Sequence, residues 1–384
     1  MILQCPCQEL NSAMSTVQRA MPSKSPMPAL EGVLFVAKDN AVSLTCSDLA
    51  LSIECSLPAN IQEEGALVLP GRMFAELIRK MPPDTVSIST EELKVTIECG
   101  QAKYNLQGMD AREYPEMPPM TGARPLELKQ SALKNMIQRT AFAVAMDETK
   151  PILTGELLEI ESDRVTLVAL DGYRLALCKE PLLQATTPVN FVVPGRSLSE
   201  IAKLFEDSDA PASISIGDTQ AMVEMGHTKI ITRLLEGEYI NYRQILPGDH
   251  QTRVRIQAQQ FLESVERASL VARDSRNHNL IRLQLDEDTM TITANGEMGN
   301  AVEKLPIYLE GKPLTIAFNA KYLLDVLRVI KDEEILLLSL IHIFYSIRMR
   351  FVLARTPCCW PILPEQKNST VFWTSAQVPA FCLC

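Results

Sequence analysis

Three copies of one pattern recur along the 384-residue chain at a period of about one third of its length. The clearest segment reads LPGRMFAELIRKM at 69–81, VPGRSLSEIAKLF at 193–205 and FNAKYLLDVLRVI at 318–330. Solenoid units repeat roughly every 20 to 50 residues, so a period this long indicates repeated domains. The repeat predicts three similar domains, which we place at 1–122, 123–248 and 249–384.

Other segments keep the same period. The segment VSLTCSDLALSIEC corresponds to VTLVALDGYRLALC and to MTITANGEMGNAVEKL, and REYPEMP corresponds to GEYINYRQILP. An amphipathic segment also opens each copy. Stretches that contain proline and glycine separate the copies at 118–125 and 246–250, as expected of linkers.

Each copy combines two kinds of hydrophobic pattern. Segments such as VTLVAL, KVTIE and SISI are rich in β-branched residues at a period of two, which is typical of strands. Other segments have apolar residues at i, i+3, i+4 and i+7, which predicts helices with one buried face. The six predicted helical windows are 8–22, 71–81, 129–145, 195–206, 257–276 and 319–331. We expect an α+β fold with two helices packed on antiparallel sheets in each domain.

Basic residues occupy matching positions on the second helix of each copy. They come in pairs seven residues apart, nearly opposite the apolar stripe on the helical wheel. The pairs are Arg72 with Arg79, Arg196 with Lys203, and Lys321 with Arg328. For a single helix, a solvated face is the better interpretation. Three matched pairs favour a shared function, because solvation alone does not keep the same positions basic.

The charge of the chain is unevenly distributed. The net charge of −10 at first argues against a nucleic-acid partner. The six helical windows together carry +7, however, so the remaining residues carry −17. This segregation suits a protein whose helices face phosphates while the rest of its surface repels nucleic acid.

Composition also bears on the compartment. The N-terminus has no basic region followed by a long apolar stretch, and the apolar run at 335–347 is too short to span a bilayer. We therefore expect a cytoplasmic protein. The ten cysteines lack the paired spacing of a zinc site, which favours buried free thiols in a reducing compartment.

These segments resemble the bacterial DNA polymerase III beta subunit, the β sliding clamp, over about residues 8 to 338. The most specific pieces are SLTCSDLALSIE, the LTGELLEIE…LVALDGYRLAL block, EGEYINYRQILP and FNAKYLLDVL. The resemblance implies three clamp domains, with two subunits closed head to tail into a helix-lined ring. Such a ring encircles duplex DNA without reading its sequence and makes the replicative polymerase processive. Strands from adjacent domains would pair across their boundaries and leave few open edges.

The resemblance also implies roles for individual residues. Lys24, Arg72, Arg196 and the 146–151 loop match DNA-facing sites. With the other helical cations, the predicted DNA-facing set is Lys24, Arg72, Arg79, Lys80, Lys134, Arg139, Lys150, Arg196, Lys203, Lys321 and Arg328.

Two further sets concern protein partners. The polymerase, the clamp loader and repair proteins would insert a short peptide with hydrophobic and aromatic residues between the second and third domains. The predicted peptide pocket comprises Leu153, Leu170, Gly172, Tyr173, Arg174, Leu175, Ile240, Gln244 and Ile245. Without the resemblance, Leu153 and Leu175 would be ordinary core residues, and Asp171-Gly172 an ordinary hairpin turn. The predicted homodimer interface pairs Tyr104 and Leu106 with Leu270 and Val271.

From about Leu340 the pattern breaks. Residues 341–384 hold both tryptophans, four of the ten cysteines and a single acidic residue, Glu365. A frameshifted or chimeric end is one explanation, and a divergent tail is another. We expect the last strands of the third domain, one pocket wall and ring closure to be affected.

Two other functions compete with a clamp. An enzyme could be proposed from Asp48 and Asp171, but they occupy equivalent turn positions in separate repeats. No Gly-rich phosphate loop ending in Gly-Lys-Ser/Thr is present, and the four histidines lack ligand spacing. We therefore expect no catalytic residue, metal or cofactor. A protein-interaction scaffold without DNA is the second alternative, which a test of topological binding to circular DNA would distinguish.

Overall fold

The computed structural model describes most of the chain, in two compact units. The described residues are 1–117, 120–147, 149–184, 186–244, 246, 252–273, 279–297, 299–340, 349–355 and 370–376. Unit 1 contains residues 1–131 and 196–234, and unit 2 contains residues 132–195 and 235–384. Because each unit combines parts of more than one predicted domain, the domain boundaries stay predictions.

The described residues form six α-helices, one at each predicted helical window. The helices are α1 (Cys7–Val17), α2 (Gly71–Lys80), α3 (Gln130–Thr140), α4 (Gly195–Leu204), α5 (Ala258–Ala272) and α6 (Ala320–Leu327). Short 3-10 turns lie at Gln18–Ala20, Pro28–Glu31, Ala111–Glu113, Ala141–Ala143, Pro151–Thr154 and Tyr242–Gln244. The first and fourth of these turns directly continue α1 and α3, so these α-helices end earlier than predicted.

The repeated Pro-Gly-Arg sequence places a glycine where α2 and α4 begin. A Cβ atom on Gly71 would lie 3.0 Å from the carbonyl oxygen of Glu31, and one on Gly195 would lie 3.2 Å from that of Thr154. In both places the backbone of the preceding 3-10 turn approaches the helix start closely. Glycine therefore recurs at these two positions because a side chain would crowd the neighbouring backbone. The third copy has a buried alanine, Ala320, at the matching position.

Twenty-seven strands account for most of the remaining described residues. The first ten are β1 (Ile2–Pro6), β2 (Gly32–Lys38), β3 (Ala41–Ser47), β4 (Leu51–Pro58), β5 (Asn60–Glu63), β6 (Gly65–Pro70), β7 (Thr85–Glu91), β8 (Lys94–Cys99), β9 (Ala102–Gln107) and β10 (Met109–Asp110). The next eight are β11 (Arg124–Lys129), β12 (Gly155–Ile160), β13 (Arg164–Leu170), β14 (Arg174–Pro181), β15 (Val189–Pro194), β16 (Pro211–Ile216), β17 (Gln220–Met225) and β18 (Thr228–Arg233). The last nine are β19 (Thr252–Gln257), β20 (Leu280–Leu285), β21 (Thr289–Gly296), β22 (Gly299–Pro306), β23 (Tyr308–Gly311), β24 (Leu314–Asn319), β25 (Glu334–Leu340), β26 (Met349–Arg355) and β27 (Thr370–Ala376).

Unit 1 contains two antiparallel sheets. One has the order β5-β1-β7-β8-β9, and the other has the order β10-β6-β2-β3-β4-β18-β17-β16-β11. In the second sheet, β4 of the first predicted domain pairs with β18 of the second, with Ile53 opposite Ile230. This pairing confirms that strands join across that domain boundary. Both isoleucines are fully buried, so the junction is part of the hydrophobic core.

Unit 2 also contains two antiparallel sheets. Their orders are β15-β12-β13-β14-β27-β26-β25-β19-β23 and β22-β21-β20-β24. Helices α5 and α6 pack on each other, and α5 also packs on β21. Phe261 on α5, Leu323 on α6 and Ile292 on β21 are fully buried in the resulting hydrophobic core.

The end of the chain differs from what its sequence pattern predicted. Strands β26 and β27 lie between β25 and β14, so they join the third predicted domain to the second. The break in the sequence pattern put the last strands in question, and these two segments form paired strands. TVFWTSA has five β-branched or aromatic residues among seven, and MRFVLAR has two, Phe351 and Val352, within the apolar run FVLA. Such residues favour strands even without the acidic turns of the earlier copies.

Six cysteines lie among the described residues, and all are free thiols. Five are buried, as predicted, whereas Cys55 is half-buried. Burial raises the pKa of Cys5 and of Cys46 to about 12, so these thiols stay protonated and unreactive at neutral pH. Among the described residues, no helix is both long and apolar enough to cross a membrane.

We expect truncation after Leu340 to destabilise the protein, because it removes β26 and β27 and leaves β14 and β25 with unpaired edges. Differential scanning calorimetry should show the unfolding midpoint of unit 2 falling by roughly 10 °C, the shift expected for a loss of several kcal/mol. Truncation after Ala376 keeps both strands and serves as the matched control. Equal midpoints for the two truncated proteins would contradict this role for the strands.

Candidate functional site

The cations predicted on the second helix of each copy are all exposed. On α2, Phe74 and Ile78 are buried while Arg72 and Arg79 face solvent. The basic pairs on α4 and at the end of α6 are likewise exposed, opposite buried leucines. The structure thus places the apolar stripe and the basic face as the sequence predicted.

Several of these cations already have partners. Arg72 donates a hydrogen bond to the carbonyl oxygen of Ser23 at 2.9 Å, which places it beside the exposed Lys24. Arg196 lies 3.4 Å from Asp48, and Arg328 lies 2.9 Å from Glu266. The Arg328–Glu266 pair is exposed on both sides and so contributes little stability, and phosphate could replace its carboxylate at little cost.

The other predicted DNA-facing residues are less uniform. Lys80 and Lys150 are exposed, and Lys203 is exposed with its ammonium 2.6 Å from Glu200. Lys134 and Arg139 on α3 are half-buried, and both interact with other groups of the protein. These two are therefore less accessible than the cations on α2, α4 and α6.

The residues predicted for the subunit contact lie at or near exposed sheet edges. Strand β9, which carries Tyr104 and Leu106, is an edge strand in which no residue is buried. Strand β22 is also an edge strand, and only one of its eight residues is buried. Leu270 lies on α5, which packs against β22, and its side chain is 63% exposed. The side chain of Val271 is half-buried.

The predicted peptide pocket has a buried apolar part and an exposed polar part. Leu153, Leu170 and Leu175 belong to one buried cluster in unit 2. Gly172 and Gln244 are exposed, as are Tyr173 and Ile240. Ile245 lies outside the described residues. The structure therefore brings three aliphatic side chains together beneath an exposed hairpin.

Asp171 forms the turn that carries this hairpin. Its Oδ1 atom accepts hydrogen bonds from the backbone N–H groups of Tyr173 and Arg174 at 2.9 and 3.0 Å. Asp48 accepts equivalent bonds from Ala50 and Leu51 at 3.0 and 2.8 Å. The predicted turn role of both aspartates is confirmed, and it leaves little reason to assign them to catalysis.

Arg174 is held by residues that the sequence analysis did not assign to the pocket. Its guanidinium donates to Asp171 and to Asp325, and it lies against the rings of Phe142 and Tyr322. Two of these residues, Tyr322 and Asp325, lie on α6 and belong to the FNAKYLLDVL segment that the sequence analysis had singled out. Only the fold, however, shows that this helix packs beside the hairpin.

Glu156 is a fully buried carboxyl on β12, next to the pocket residues. Its only hydrogen-bond partner among the described residues is the hydroxyl of Thr140. That hydroxyl can donate its one proton to the carbonyl oxygen of Met136, 3.0 Å away, and so accept a proton from a neutral Glu156. Burial raises the pKa of Glu156 to about 8, which agrees with a protonated side chain at pH 7.

Three family models match consecutive parts of the chain. They are the N-terminal, central and C-terminal domains of the DNA polymerase III beta subunit, at residues 1–118, 127–241 and 243–349. The beta sliding clamp of Bacillus subtilis is 35% identical over 361 residues, which cover 91% of this chain and 94% of the relative.

Solved structures give the same result. The Bacillus subtilis DNA polymerase sliding clamp matches with a TM-score of 0.91 and 32% identity, over 99% of each chain. A putative DNA polymerase III beta subunit from Eubacterium rectale matches with a TM-score of 0.88 and 28% identity, over 98% of this chain and 99% of that one.

The matches define the class: the chain has the three-domain α+β fold of a sliding clamp, as predicted. The chain belongs to the DNA polymerase III beta subunit family. The predicted function of a DNA sliding clamp is thereby confirmed.

We expect Glu156→Gln to remove a pH dependence of stability. The folded carboxyl keeps its proton up to a pKa of about 8, whereas the unfolded one loses it above about 4.5. Unfolding between these values releases a proton, so wild-type stability should fall relative to the variant as pH rises from 5 to 8. The difference in the free energy of unfolding between wild type and Glu156→Gln should change by at most about 1.4 kcal/mol per pH unit.

Urea unfolding of both proteins at several pH values measures this difference. Glu238 is an exposed carboxyl, and Glu238→Gln serves as the matched control that should keep the wild-type profile. Parallel profiles for wild type and Glu156→Gln would show that Glu156 is charged in the folded protein.

Proposed function

We propose that two copies of this chain close head to tail around duplex DNA and that the basic faces of α2, α4 and α6 contact the phosphates. The observation that carries this proposal is that matched cations are exposed on all three helices, opposite their buried stripes. Contacts to phosphates alone do not depend on base sequence, so the ring can slide. Enclosure then keeps it on DNA without tight binding.

The same proposal assigns the protein no chemistry of its own. Asp48 and Asp171, the carboxylates most easily suspected of catalysis, use their oxygens to hold turns. The chain would act in the cytoplasm by keeping a replicative polymerase on its template.

The edges of two sheets support ring closure by a second copy. An edge strand presents unpaired backbone N–H and C=O groups, and a partner strand can pair with them. Strands β9 and β22 are both long and largely unburied. We assign Tyr104 and Leu106 of one copy to a contact with Leu270 and Val271 of the other, next to these edges.

The pocket residues of unit 2 would receive the partner proteins. Leu153, Leu170 and Leu175 supply an aliphatic floor, and the exposed Tyr173 and Ile240 lie where a peptide side chain could reach them. Such a site suits a short peptide with hydrophobic and aromatic residues. The replicative polymerase, the clamp loader and repair proteins would compete for it.

Topological binding to DNA tests this proposal. After a bacterial clamp loader places the protein on a nicked circular plasmid, gel filtration should show it eluting with the DNA. One restriction cut should release it, because a ring slides off a free end. Equal retention on circular and cut plasmid would indicate ordinary binding, and retention on neither would favour a scaffold without DNA.

Charge variants in an equilibrium binding titration with duplex DNA test which face meets the DNA. Lys321→Gln with Arg328→Gln should weaken this binding and reduce its salt dependence, by about 0.9 in the logarithmic slope for each phosphate that the protein no longer neutralises. Lys38→Gln with Lys312→Gln removes the same charge from exposed positions outside the helices and serves as the matched control. Equal effects of the two pairs would contradict a helical DNA face.

A further inference from the structure

One ion pair joins the pocket hairpin to helix α6. The Nη1 atom of Arg174 donates to Oδ2 of Asp325 at 2.6 Å, and its Nε atom donates to Oδ2 of Asp171 at 2.9 Å. Asp171 belongs to the same hairpin as Arg174, so that bond fixes the arginine only to its own turn. The bond to Asp325 reaches a different element, 151 residues further along the chain.

The surroundings of Arg174 make this pair more than a surface contact. The side chains of Arg174 and Asp325 are 9% and 23% exposed. A guanidinium with so little access to water needs carboxylate partners, because burying an unpaired charge is costly. Charge-assisted bonds of this length are among the strong hydrogen bonds in proteins.

Aromatic rings limit how the guanidinium can move. It lies 5.3 Å from the ring centre of Phe142 and 4.7 Å from that of Tyr322. Tyr173 stacks on Tyr322, with ring centres 6.4 Å apart and planes 29° apart. Stacking of this kind tolerates sliding within the plane. The directed bond to Asp325 therefore selects one position of the hairpin among those that stacking would allow.

We propose that Asp325 is a positioning residue of the partner-peptide pocket, which acts through Arg174. Its bond holds the hairpin, with Gly172 and Tyr173, in the position that binds peptide. This inference rests on the proposed peptide pocket. Asp325 also lies on α6 between the exposed Lys321 and the exposed Arg328, so one helix supports the pocket and carries the basic face.

Removing the carboxylate charge from this bond should weaken peptide binding while every side chain that meets the peptide is kept. In Asp325→Asn the side chain keeps its shape, but Arg174 is left with the carboxylate of its own hairpin. The hairpin should then occupy several positions, and apparent affinity falls in proportion to the binding-competent fraction. If that fraction drops to about one tenth, the Kd rises about tenfold.

Fluorescence anisotropy with a short fluorescein-labelled peptide that contains a leucine and a phenylalanine measures this effect on the full-length protein. Asp325→Glu keeps the carboxylate and should restore most of the affinity. Glu266→Gln is the matched control, because it breaks the Arg328 ion pair at α6 and leaves Arg174 untouched. Thermal unfolding of each variant separates a change in the pocket from a general loss of stability.

The expected result is about tenfold weaker binding for Asp325→Asn, near wild-type binding for Asp325→Glu and Glu266→Gln, and similar unfolding midpoints for all. If Asp325→Asn bound the peptide with wild-type affinity, the proposed role of Asp325 would be wrong, while the proposed pocket would still hold. Equal weakening in Asp325→Asn and Glu266→Gln would also overturn it. If the wild-type protein does not bind the peptide, the proposed pocket itself is wrong, and this inference falls with it.

Discussion

Backbone hydrogen bonding at sheet edges is the constraint on which the rest of the structure depends. A domain built from antiparallel strands ends in rows of N–H and C=O groups that need partners. In unit 1, β4 meets β18, and in unit 2, β14 meets β27, so sheets continue across predicted domain boundaries. Among the described edge strands of six or more residues, β9 and β22 are the most exposed. A second copy of the chain can pair with both.

The repeat shows how one module is used for different tasks. Asp48 and Asp171 hold equivalent turns with the same pair of backbone bonds. Their free oxygens then differ in use: that of Asp48 lies near the exposed Arg196, and that of Asp171 binds the buried Arg174. The turn is thus the same in both copies. The second carboxylate oxygen of its aspartate, Oδ2, contacts a cation of the basic face in one copy and an arginine of the predicted pocket in the other.

Much of the fold could be predicted from the sequence because helix and strand patterns are local. The stripe of Phe74 and Ile78 identifies α2, and the repeat carries that assignment to α4 and α6. The partnership of Arg174 with Asp325 could not be predicted, since it joins elements far apart in the chain. Glu156 gave no signal either, because a glutamate within a strand is usually solvated.

The end of the chain shows the opposite error. The loss of acidic turns after Leu340 led to an expectation of affected strands, yet β26 and β27 continue the sheet between β25 and β14. Only two of the seven residues of β26 are β-branched or aromatic, so its pairing on both sides with β25 and β27 depends on the available edges as well as on residue type. Two sheet edges with unpaired backbone groups, those of β14 and β25, therefore favour strand formation by the segments between them even when their sequences diverge.

Hydrogen exchange followed by mass spectrometry, over a range of protein concentrations, tests the central claim most directly. If β9 and β22 pair between two copies, their backbone amides should exchange slowly at high concentration and lose protection together on dilution. The short edge strands β5 and β23 should not change. Rapid exchange of β9 and β22 at every concentration, in a protein that stays at its monomer mass of 42.7 kDa, would contradict the account.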